Sequence, residues 1–186
     1  MPQLNYHGVQ SANVYWITGL SSAGKSENAS RLAAYLRANG RPCILLDGDE
    51  LRAAINAQKC YTRAERVNLG IQYGNLCKLI SMQGVEVVIA TIALYSEIHE
   101  WKRENLPNCC TIYLDVPITE LKSRDPKRIY ARYFANELRN VAGLDLAVEP
   151  PPNPDIHIIW KPGMDAKVVW EMIEKQLPQF RHGLNN

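Results

Sequence analysis

At 186 residues, 46% of them hydrophobic and 22% charged, the chain is long enough for one ordinary domain core that buries about 70% of the surface its unfolded form exposes. A formal net charge of only +2 excludes the broad electrostatic footprint of a nucleic-acid- or membrane-binding surface, so any anion must be held by a local site. The N-terminal MPQLNYHGVQSA lacks a basic region followed by an apolar core, and no run approaches the roughly 18 apolar residues of a membrane span, which predicts a soluble cytoplasmic protein.

Residues 14–18, Val-Tyr-Trp-Ile-Thr, are a short apolar and β-branched run that predicts a first strand, ending at Gly19 and a glycine-containing turn. Ala29, Leu32, Ala33 and Leu36 then recur at helical spacing and predict a helix over 27–38, stopped by Asn39-Gly40. Residues 42–47 predict a second strand, 50–57 a helical stretch, and 63–83 a long helix carrying Val67, Ile71, Leu76, Leu79 and Ile80 and ended by Gly84. The nearly continuous apolar run at 85–90 predicts a central strand covered on both faces, and 111–115 and 155–159 predict a fourth and a fifth. Short strands alternating with helices imply a single α/β domain over 1–186: a five-stranded parallel sheet sandwiched between helices, with right-handed crossovers, behind a tail at 1–12.

Residues 124–154 break this pattern. They are rich in charges and aromatics and run into Glu149-Pro150-Pro151-Pro152-Asn153-Pro154, which reads as a mobile lid over a site. The five cysteines, Cys43, Cys60, Cys77, Cys109 and Cys110, are odd in number and form no C-x-x-C pair; free, mostly buried thiols are expected.

Gly19-Leu20-Ser21-Ser22-Ala23-Gly24-Lys25-Ser26 matches G-x-x-x-x-G-K-[ST] between a predicted strand and a predicted helix, the context a phosphate-binding P-loop requires. Gly19 and Gly24 let the backbone wrap so that N–H groups of Ser21, Ser22 and Ala23 point at phosphate oxygens, and the helix dipole adds to the field. Lys25 supplies a point charge to the β- and γ-phosphates of ATP, and Ser26 a hydroxyl ligand for Mg²⁺. A GTP switch would carry an N-K-x-D base-reading motif, and none occurs; a motor ATPase would carry an acid ending an apolar strand, and Val87-Val88-Ile89-Ala90-Thr91 has none. Instead Asp47-Gly48-Asp49 ends the second strand, and two aspartates two residues apart face the same side of an extended chain. In a small-molecule kinase one carboxylate positions magnesium and the other accepts a hydrogen bond from the attacking hydroxyl; Asp47 is assigned to the first role and Asp49 to the second, with Lys25 completing the catalytic set.

The P-loop, Leu46-Asp47-Gly48-Asp49-Glu50-Leu51-Arg52, Arg124-Asp125-Pro126-Lys127, and Gly143-Leu144-Asp145 with Glu149 together resemble adenylylsulfate kinase, over a span from about residue 14 to residue 159. The resemblance implies an ATP- and Mg²⁺-dependent P-loop kinase, often a homodimer, that phosphorylates the ribose 3′-hydroxyl of adenosine 5′-phosphosulfate. By position it implies that Arg52 and Arg66 contact the substrate's phosphate groups, that Tyr61 stacks on its base, that Ile92, Ala93, Leu94 and Val141 belong to the substrate pocket, and that Arg124 and Lys127 belong to the lid over the nucleotides. Arg binding phosphoryl oxygens as a bidentate fork and Lys as a point charge make such a cationic frame physically sensible.

Departures from that family cluster at the substrate side. Thr91-Ile92-Ala93-Leu94-Tyr95 stands where the family has F-I-S-P-[YF], Lys127-Arg128-Ile129-Tyr130 where it has K-G-L-Y, and Val141-Ala142-Gly143-Leu144-Asp145 where it has F-T-G-[IV]-D; Leu69 stands where an Asn is usual. Base stacking on an aromatic is worth roughly 1–3 kcal/mol, so the loss of the wall at Val141 weakens an adenine site about ten- to a hundredfold. The altered segments, Thr91 to Ile98 and Val141-Ala142-Gly143, are similar to the cytidine diphosphoramidate kinase branch, which implies the same 3′-hydroxyl chemistry on a cytidine nucleotide. A P-loop binding protein without turnover is disfavoured, because Lys25, Ser26, Asp47 and Asp49 are all present.

Overall fold

The computed structural model describes residues 9–57 and 62–177. Five strands, β1 (Val14–Thr18), β2 (Cys43–Asp47), β3 (Glu86–Ala90), β4 (Cys109–Asp115) and β5 (Ile156–Ile159), make one sheet in the order β2-β3-β1-β4-β5. Every pairing is parallel, so the strands' C-terminal ends share one edge. β1 is central, and the loop that leaves it opens between neighbours reached by crossovers in opposite directions, the crevice where α/β sheets bind ligands.

Both faces are covered. On one, Tyr15, Ile17, Val88, Ile112 and Ile158 pack with Leu32 and Leu36 of α1 (Lys25–Ala38) and with Val169 and Ile173 of α7 (Ala166–Gln176). On the other, Val14, Trp16, Val87 and Ile89 pack with Leu69, Tyr73 and Cys77 of α3 (Arg63–Ser81) and Ile98 of α4 (Ser96–Asn105). The layered parallel sheet is as the sequence predicts, and β1 and β3 are buried throughout.

Three differences have physical causes. α4 and α7 were not legible as helices, and α4 is polar on most of its surface. Its packing is set by Gly70 and Gly74 of α3, where a Cβ would lie 2.3 Å from Ile98 and 2.3 Å from Trp101 respectively. Second, the segment 124–154 is not irregular throughout. It contains α6 (Ile129–Phe134), begun by Asp125, whose carboxylate accepts from the Ile129 and Ala131 amides, and anchored by the buried Tyr130. Arg124 closes the preceding α5 (Ile118–Arg124), paired with Glu120 at 2.7 Å and lying over the Trp160 ring. Third, the aspartates are not on one extended chain: Asp47 ends β2, whereas Asp49 lies in the first turn of α2 (Gly48–Ala54).

Among the described residues, Cys43, Cys77, Cys109 and Cys110 are free thiols, as expected, and burial pushes all four up from the ordinary thiol range. No described helix is long and apolar enough to cross a membrane.

Candidate active site

The loop between β1 and α1 has the shape its sequence demands. Gly19 has φ 151°, and a Cβ there would lie 2.6 Å from the Leu114 carbonyl, so the chain can turn this sharply against β4 only at glycine. Gly24 has φ 89° and opens α1. The Tyr130 hydroxyl donates to the Ser21 carbonyl at 3.0 Å, which ties α6 to the loop from the outside.

The loop opens into a cavity of about 760 Å³ at the C-terminal edge of the sheet. Ser21, Ser22, Gly24, Lys25 and Ser26 line one side, Asp47, Asp49, Arg52, Arg66 and Ile92 another, and Arg124, Lys127 and Val141 the third. The structure therefore brings together most of the sequence-predicted site. Gly19 and Ala23 shape the loop without lining the cavity, and Ala93 borders a small side cavity instead. Leu94 is fully buried in the core, where only its carbonyl acts, accepting from the Glu149 amide at 2.9 Å. Tyr61 lies outside the described residues, as does Cys60.

Electrostatics inside the cavity are set by burial and by cations. Burial lowers Lys25 to about 8, with Asp49 and Asp47 opposing the shift, and its ammonium donates to the Leu20 carbonyl at 2.7 Å. Burial alone would raise Asp49, but the hydrogen bond and charge of Lys127, 2.5 Å away, outweigh it together with Arg52 and Lys25, so the carboxyl is held below its usual range. Asp47 does two things: Oδ1 accepts from the Asp49 amide at 2.9 Å, capping α2, and Oδ2 accepts from the Ser26 hydroxyl at 2.5 Å. A hydroxyl and a carboxylate converging at the mouth of a phosphate-binding loop are hard oxygen ligands of the kind magnesium takes when phosphates and waters fill its other positions. The Ser26–Asp47 pair therefore fits that ion.

Arg132, Arg139 and Asn140 also line the cavity and were missed by the sequence reading. The signal for Arg132 was Ile129, Tyr130 and Tyr133 at helical spacing behind Asp125, a helix start hidden in a charged segment. Asn140 has φ 58°, and Asp145 fixes this turn by accepting from the Asn140 and Val141 amides, which sets Val141 against the cavity. Arg66 reaches across to donate to the Asn140 carbonyl at 2.9 Å.

The family model for adenylylsulphate kinase matches residues 11–159. This chain belongs to the adenylylsulphate kinase family. Its members are kinases, phosphotransferases with an alcohol group as acceptor, and their P-loop fold is the one seen here. The adenylyl-sulfate kinase of Deinococcus deserti is 34% identical over 155 residues, 83% of this chain and 86% of that protein. The cytidine diphosphoramidate kinase of Campylobacter jejuni is 32% identical over 138 residues, 74% of this chain and 81% of that protein. Among solved structures, the Mycobacterium tuberculosis APS kinase CysC in complex with AMPPNP and APS superposes with a TM-score of 0.82 at 26% identity, over 91% of this chain and 99% of that one. The chain also matches longer bifunctional enzymes, spanning only 26% of NodQ from a Rhizobium strain.

Proposed function

We propose that this kinase transfers the γ-phosphate of ATP to the ribose 3′-hydroxyl of a nucleotide, with adenosine 5′-phosphosulfate as the acceptor its family suggests. The observation that carries the reading is the P-loop facing Asp47 and Asp49 across one cavity rimmed by Arg52, Arg66, Arg124 and Lys127. Loop amides and Lys25 hold the donor phosphates, and Ser26 with Asp47 would hold magnesium. Magnesium held there would supply positive charge to offset that of the transferring phosphoryl group. Asp49 accepts the hydrogen bond of the attacking hydroxyl; it is freed for this when a phosphoryl group, the stronger anion, draws Lys127 off its carboxylate. The arginines orient the acceptor, and water is limited by the segment carrying α6. We place the reaction in the cytoplasm and expect a homodimer that covers exposed apolar residues such as Phe134 and Ile159, which sedimentation velocity would reject by finding a monomer.

A second reading, a cytidine diphosphoramidate-type kinase, is favoured by one specific observation: Val141, not an aromatic, lines the cavity, and its turn is fixed by Asp145, so no aromatic wall stands at that point. A coupled assay with ATP, Mg²⁺ and a panel of adenosine and cytidine 5′-phosphate derivatives tests both readings. Lys25→Ala is the control: it should nearly abolish turnover with every acceptor while the fold survives, because the transferring phosphoryl group loses its fixed charge. Near-normal turnover in that variant would refute the assignment of this loop.

A further inference from the structure

The N-terminal edge of the sheet, opposite the site just described, holds another cavity, of about 180 Å³. Residues 10–13 ahead of β1, residues 40–42 ahead of β2, and Gly84 and Glu86 around the start of β3 line it. It shares no lining residue with the cavity at the P-loop. β2 and β3, five residues each, run from here to Asp47 and Ala90 on that cavity, so about 17 Å of strand separates the two.

The wall carries a carboxylate that is only half used. Glu86 is 4% exposed, and its Oε1 accepts from Arg41 Nε at 3.0 Å and from Arg41 Nη2, which also donates to the Tyr15 hydroxyl at 3.0 Å. Oε2 is buried and has no hydrogen-bond partner. Buried polar atoms are almost always paired, and a charged one left bare costs the most. The chain beside it has few donors left to give. The Ala12 and Gly84 amides both go to the Ser81 carbonyl, the Glu86 amide goes to the Pro42 carbonyl, and Pro42 has no N–H of its own. Arg41 and Glu86 cancel in charge, so the cavity offers no net partner to a cation or to an anion. What it offers is a free acceptor, Oε2, beside a guanidinium whose Nη1 makes no bond among the described residues.

We propose that this cavity is a binding site for a small neutral primary amide, whose N–H donates to Glu86 Oε2 while its carbonyl accepts from Arg41. At roughly 30 Å³ for each water-sized group, the volume admits a ligand of about six non-hydrogen atoms. A carboxamide carries a donor and an acceptor side by side in one plane, the pattern complementary to a carboxylate oxygen next to a guanidinium. An ammonium would be repelled by Arg41 and a carboxylate by Glu86, and an alkyl group would leave Oε2 bare.

Butyramide is the probe that tests it, with two controls of the same size: N,N-dimethylacetamide keeps the carbonyl but has no N–H, and butyrate puts a second carboxylate in place of the amide. In a chemical-shift titration of the isotope-labelled protein, butyramide on the order of 10 mM should move the amide resonances of residues 10–13, 40, 41 and 84–86 saturably. Both controls should bind roughly tenfold more weakly or less, the value of one hydrogen bond to a charged group. Glu86→Gln should reverse the order. Arg41 retains the carbonyl of the new side chain, so an NH₂ group stands where Oε2 was; butyramide then loses about tenfold and N,N-dimethylacetamide gains. Shifts gathered on the P-loop amides, equal binding of the three probes, or no saturable shift, as for a cavity that holds water alone, would each overturn the proposal. Should Glu86→Gln fail to fold, the wild-type titration with its two controls still decides.

Discussion

Asp49→Asn should separate chemistry from folding. The Asp49 carboxylate pairs with Lys127, and the two side chains are 66% and 57% exposed. Exposed pairs contribute about 0–1 kcal/mol, so the variant's melting temperature should move by no more than about 2–4 °C. The amide keeps the carboxylate's size and loses its charge and basicity. General-base assistance is worth about 10²–10⁴ in rate, so kcat should fall by that factor, about 3–5 kcal/mol of barrier, with the KM for ATP little changed. Asp47→Asn is the internal contrast. Asn caps a helix about as well as Asp, so α2 survives, but the charge facing Ser26 is lost and the magnesium concentration for half-maximal activity should rise. Steady-state kinetics of both variants across a magnesium titration, alongside thermal melts, reads all of this. A steep kcat loss confined to Asp47→Asn, with Asp49→Asn shifting only the magnesium response, would exchange the two roles; near-normal kcat in both would refute the carboxylate mechanism.

Val141→Phe should restore a stacking face worth about 1–3 kcal/mol to a purine and shift the kcat/KM ratio toward adenosine acceptors; an unchanged ratio would remove Val141 from base selection. Arg128 opens α6 at φ 53°, a left-handed conformation that costs a side chain about 1–2 kcal/mol. Arg128→Gly, which restores the family's glycine, should therefore raise the melting temperature slightly even after glycine's extra unfolded-state entropy, and a lower one would mean that the arginine side chain stabilises the turn. Glu149 is held down to about 2 by its bonds to Ser96 and Arg63. A depressed carboxylate stabilises the fold above its unfolded value near 4.5 and loses that contribution as pH falls toward 2. Melts from pH 6 to 2 should thus show a pH slope that Glu149→Gln flattens; identical slopes would make the clamp irrelevant to stability.

The P-loop was legible because its chemistry is local: glycines where the backbone must turn sharply, then a lysine and a serine at fixed offsets, all within eight consecutive residues. The strands were legible too, since a doubly covered parallel sheet writes itself as short apolar runs. Polar α4 carries no comparable signature; it is a helix because Ile98 and Trp101 fit against Gly70 and Gly74, a relation between segments more than twenty residues apart. Both aspartates line the cavity, but a capped strand-to-helix turn, not an extended chain, brings them there.

What only the tertiary structure decided is which cations share a cavity. The departures at Leu69 and Ala93 stand 24 positions apart in sequence, yet they meet on one side cavity beside Tyr95. Periodicity and motif spacing register contacts within a turn or a strand, whereas a pocket is made by chain segments whose proximity exists only once the sheet has brought their ends to a common edge.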